Sequence, residues 1–147
     1  MAQAAAKPRE DAPYDPKKVI LEKLGDISGV EIAQNEVLIA TYFRPEKTAG
    51  GIVLPHANLK EDQYQGKVGL VVKIGSACRF VRHDVERDIT YGVPIALHDW
   101  IVVRTSDTWP LELNGRRDSL ERDEFVWCRL VYDDQIRMKV PNPSMVW

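Results

Sequence analysis

Apolar and polar positions along the chain divide it into a polar start, one short helical pattern and a series of strand patterns. Residues 1–14 are rich in Ala, Pro and charge and contain too little apolar surface to form a core. Asp15 then suits a helix cap, Pro16 the first helical position and Gly25 the stop. Between them Ile20, Leu21 and Leu24 share one face, which predicts a helix over 16–24. At two to three turns it is too short to stand alone in water, so it must dock on its own domain or on a neighbour. Asn35 to Phe43 is strongly strand-forming, and Gly66 to Gly75 forms a second strand bounded by glycines. Ile95 to Arg104 and Phe125 to Tyr132 read as further strands. Ile136, Met138 and Val140 alternate as an edge strand would. Gly75 to Gly92 is irregular, with Phe80, Val81, Val85, Ile89 and Tyr91 set among charges. Asn114-Gly115 is a hairpin signal, and the charged run Arg116 to Glu124 after it reads as a solvated tip. The tail from Pro141 is extended and ends on Trp147.

One stretch stands out between the first two strands. Gly50 and Gly51 free the backbone, Ile52, Val53 and Leu54 follow as an apolar tooth, and Pro55 ends any ladder. The tooth suits either a sheet corner packed in the core or a loop presented to a partner groove. Loops as long as this excursion are usually functional or disordered.

Totals narrow the function. The 147 residues are 44% hydrophobic and 29% charged, which fits one domain with a real core. A formal net charge of −2 gives no bulk drive toward nucleic acid. No apolar run approaches a membrane span, and the start lacks the apolar region of a secretory signal. Cys78 and Cys128 have no metal-ligand spacing, so free thiols are expected. His83-Asp84 and His98-Asp99 invite catalytic or metal readings, but neither has further groups at a recognisable spacing. No catalytic residue, metal site or cofactor is expected.

Val37 to Arg44, Thr48-Ala-Gly-Gly-Ile-Val-Leu-Pro55 and Gln65 to Gly75 together resemble the GroES-like co-chaperonin family. Val93 to Val103 resembles that family's Val-x-x-Gly-Asp-x-Val strand, with His98-Asp99 in place of Gly-Asp. Phe125 to Met138 resembles its last strand and closing segment. Thr105 to Pro110 stands where the family has Tyr-Gly. The resemblance implies an all-β chain built on a small GroES-like antiparallel β-barrel over residues 34–140. An arm with a short helix would precede it (1–33) and an extended tail follow it (141–147).

Two non-enzymatic functions are compatible with this organisation. In one, the chain decorates or stabilises a viral (phage) capsid as part of the virion, held by its terminal arms through Ile20, Leu21, Leu24 and Trp147. In the other, a cytoplasmic co-chaperonin ring caps a chaperonin through Gly50, Gly51, Ile52, Val53 and Leu54 and assists protein folding. The expected partners are proteins: further copies of the chain, and capsid protein or a chaperonin. Neither nucleic acid nor membrane is expected.

Overall fold

The computed structural model describes residues 15–43, 67–113 and 126–146. Helix α1 spans Pro16–Leu24. Among the described residues eight strands follow: β1 (Glu36–Thr41), β2 (Val68–Ile74), β3 (Val81–Asp84), β4 (Ile89–Gly92), β5 (Trp100–Val103), β6 (Trp109–Leu113), β7 (Val126–Tyr132) and β8 (Ile136–Val140). Six of them form one antiparallel sheet in the order β6-β7-β1-β2-β5-β8, and β3 and β4 form a separate two-stranded ribbon.

The described residues are thus mostly β, with an antiparallel sheet and one small α-helix, as expected. Closure into a barrel is not seen: among the described residues β6 and β8 each pair on one side only. Register shifts between Leu38 and Ile39 and between Val102 and Val103 interrupt the ladders. Such irregularities bend a strand and raise its local twist.

Central strands bury both faces. Leu38 and Ala40 of β1 join Leu70, Val72, Trp100 and Cys128 in one apolar cluster. Val37 and Ile39 join Val71, Ile101, Val103 and Val131 in a second. Successive strand residues point to opposite faces, so an unbroken apolar run is what a doubly covered strand requires. Ile20 and Leu24 of α1 cover the first face, with Ile27, Val30 and Ile32 packed beside them. Cys78, Phe80, Ile95 and Ile136 pack on the second. Tyr42 and Trp100 meet edge to face, with ring centroids 5.7 Å apart. Gly69 allows the close approach of β1 and β2, since a Cβ there would lie 2.7 Å from Ile39 Cδ1.

The helix forms where its local signals place it. The Asp15 side chain accepts from the backbone N–H of Lys17 at 3.2 Å and of Lys18 at 3.5 Å, and Gly25 ends the helix at φ 67°.

Candidate protein-binding surfaces

The helix face expected to meet a partner is largely used inside the chain. Leu24 is 1% exposed and Ile20 is buried, both in the first core cluster. Their assignment to a partner is corrected accordingly: an apolar face this small docks on the nearest apolar sheet, which is the chain's own. Leu21 is partly buried, and with Asp15, Lys17, Lys18 and Glu22 it lines an open hollow along α1. Gly50, Gly51, Ile52, Val53, Leu54 and Trp147 lie outside the described residues. Just before Trp147, the Asn142 side chain accepts from the Ser144 N–H at 3.0 Å and caps a single 3-10 turn. That turn leaves Met145 66% exposed.

Exposed apolar surface collects elsewhere. Ten large hydrophobic side chains are exposed among the described residues. Six of them, Val81, Val85, Ile89, Tyr91, Val93 and Leu97, fall in the ribbon and the loop leaving it. Val85, at the ribbon tip, is 83% exposed. Scattered apolar residues on a surface are ordinary, whereas a concentration of them marks a contact surface.

One carboxylate anchors the ribbon to the sheet. Asp133 sits between β7 and β8 with its side chain 1% exposed. It accepts from the Arg79 backbone N–H at 2.7 Å, from Asn35 Nδ2 at 3.1 Å and from Arg82 Nη2 at 3.0 Å. Its own N–H donates to the Asn35 carbonyl at 3.0 Å. Burial pushes the Asp133 pKa up, but these donors and the Arg82 charge outweigh it and hold the carboxyl below its ordinary value. At the same end of the ribbon, opposite Val81, Gly92 has φ 102°, and a Cβ there would collide with the Phe80 carbonyl.

Two charge contacts lie within the ribbon itself. Arg87 Nε donates to Asp84 Oδ2 at 2.8 Å, and Asp84 also accepts from the Glu86 and Arg87 amides. His83 lies against Thr90 Oγ1 at 3.0 Å and Asp88 Oδ1 at 3.2 Å. Adjacent on one strand, His83 and Asp84 point to opposite faces, so they do not act as a pair. In the other His-Asp pair, His98 takes φ 69° in the turn before β5. Asp99 Oδ2 there accepts from Ala96 N–H at 2.8 Å and pairs with Lys139 Nζ at 3.3 Å. Among the described residues no three His, Cys, Asp or Glu side chains gather as metal ligands. Both cysteines are free. Burial pushes the Cys128 thiol up to about 12, and burial with nearby Asp133 raises Cys78, so both stay protonated at neutral pH.

Neither the ribbon as a contact surface nor the Asp133 anchor was visible in the sequence. Val81, Val85, Ile89 and Tyr91 stand out in the sequence as apolar, but only pairing and exposure show them to be unburied. Arg82 and Asp133 are 51 residues apart and share no motif. Comparison with family models finds no match, and comparison with curated proteins finds none either.

Proposed function

We propose that the chain is a non-enzymatic structural subunit of a protein assembly, with a viral (phage) capsid as the surface it decorates or stabilises. The observation that carries this reading is the division of apolar surface. The sheet is covered on both faces by the chain itself, while most exposed apolar side chains collect on the ribbon and its exit loop. Exposed Met145, and Trp147 two residues further along the sequence, supply a second attachment point. The protein then belongs to the virion surface, and its partners are capsid protein and copies of itself rather than nucleic acid or membrane.

A GroES-like fold is part of the proposal. The sequence resemblance supports it, as do two features of the chain's path. The connection 44–66, which carries Gly50 to Leu54, joins paired strands β1 and β2. The ribbon β3-β4 stands between β2 and β5, where a co-chaperonin has the hairpin that closes its dome. That placement also favours a second reading, a cytoplasmic co-chaperonin ring that docks on a chaperonin through Ile52, Val53 and Leu54.

A particle co-sedimentation assay run beside a chaperonin refolding assay separates the two. For a capsid subunit, changing Trp147→Ala should weaken particle binding while the protein stays folded. Aromatic anchors of this kind contribute about 2 kcal/mol, or roughly thirtyfold in affinity. Ile52→Ser with Leu54→Ser should leave particle binding intact. Wild-type protein that never sediments with particles, yet supports refolding until Ile52 and Leu54 are changed, replaces the first reading with the second.

A further inference from the structure

The two ends of the main sheet are guarded against adding another strand, and the ribbon is not. On β6, Pro110 offers no N–H. On β8, Arg137 and Lys139 bring two positive charges to the edge, pairing with Asp107 at 3.7 Å and Asp99 at 3.3 Å. Proline and charge are the usual devices that keep sheet edges from pairing. Strand β4 has neither. It reads Ile89-Thr90-Tyr91-Gly92, three strand-forming residues and a glycine, with every residue exposed. Among the described residues it pairs with β3 alone, so its outer side presents free backbone donors and acceptors.

We propose that β4 pairs with the same strand of a second copy of this chain, antiparallel about a two-fold axis at Thr90. The strand is self-complementary in that register. Thr90 faces itself, and Ile89 faces Tyr91 of the other copy twice, an aromatic and β-branched pairing that strands favour. No charge in β4 meets its own kind. The same operation about Met138 of β8 would set Arg137 against Lys139, two like charges that repel. The tip charges need nothing from the second copy, because Asp84 holds Arg87 and Asp88 lies against His83. The product is a four-stranded sheet made from two ribbons, which are marginal singly and firmer together. Two strands of four residues make a small contact, so association is weak in dilute solution and firm where copies are crowded. This pairing does not depend on what the assembly is.

Sedimentation of the full-length chain over a wide concentration range tests it. Wild type should show reversible dimer at high concentration. Thr90→Lys, which sets two like charges face to face, should remain monomeric while keeping its fold. Cross-linking then tests the register. Under mild oxidation Thr90→Cys should give about tenfold more disulfide dimer than His83→Cys, because pairing raises the local thiol concentration only at position 90. His83 is exposed directly across the ribbon from Thr90, so it reports random collision. The proposal is overturned if wild type stays monomeric throughout, if Thr90→Lys associates like wild type, or if the two cysteine variants cross-link equally. Protection of the β4 amides that appears only when capsid particles are added would also overturn it, assigning the edge to a foreign strand.

Discussion

The main sheet and the ribbon use similar residues in opposite ways. In β1, Val37 to Ala40 are buried on both faces of the sheet. In β4, Ile89, Thr90 and Tyr91 are just as strand-prone, yet every one is exposed. The difference lies in what covers them. Helix α1 and residues 27–32 lie over one face of the sheet and the segments around Cys78, Phe80, Ile95 and Ile136 over the other. Nothing described covers β4, and the ribbon is tied down chiefly where β3 begins, through Asp133. Strand propensity alone therefore does not tell a core strand from a contact strand. Which it becomes depends on partners distant in sequence, or on partners outside the chain.

Substitutions can break or sharpen this contrast. Ile101→Ala, in the fully buried second cluster, should cost about 3 kcal/mol of unfolding free energy in a denaturant titration. Asp133→Asn removes the charge that Arg82 meets and places an amide among donors. It should cost about 2 kcal/mol, with Arg82 partly rehydrated. Hydrogen exchange should locate that loss in the ribbon, β4 amides speeding up far more than those of β1.

The anchor also carries a pH dependence. The Asp133 carboxyl is held below its unfolded value of 3.8, so its contribution is fully present above that pH. It is lost as pH falls through the folded-state value. The stability gap between wild type and Asp133→Asn should therefore narrow steadily below about pH 4 in acid unfolding experiments. A gap that stays constant to strong acid would remove the carboxylate from the anchoring role.

Smaller effects come from the surface. His98 occupies a left-handed conformation that glycine adopts without cost, so His98→Gly should raise stability by up to about 1 kcal/mol in thermal unfolding. Ile89→Ala should shift monomer stability by less than about 0.5 kcal/mol, because its side chain is already half in water. A loss as large as that of Ile101→Ala would make β4 a core strand after all.

Local signals were legible in the sequence and distant ones were not. Asp15, Pro16 and Gly25 mark α1 because capping acts over a few residues. Strands β1, β2 and β7 show as apolar runs because both sheet faces are covered. The edge position of β8 was legible too, although Met138 stays 46% exposed rather than turning inward with Ile136 and Val140. The strand read from Ile95 starts only at Trp100, because the turn closed by Asp99 and His98 occupies the residues before it. Strand β6 was missed: Trp109-Pro110 looks irregular, and only pairing with β7, from Trp109 opposite Leu130 to Leu113 opposite Val126, makes it a strand. For the candidate surfaces, the α1 face was found but given to the wrong contact. Its residues are apolar whether they meet their own sheet or another molecule.

The claim that the ribbon is an association surface, and the sheet a self-contained body, is tested most directly by hydrogen exchange as a function of protein concentration. The account expects protection at the Ile89 to Gly92 amides to rise with concentration while amides of β1 and β2 stay equally protected throughout. Rapid exchange of the β4 amides at every concentration would contradict it.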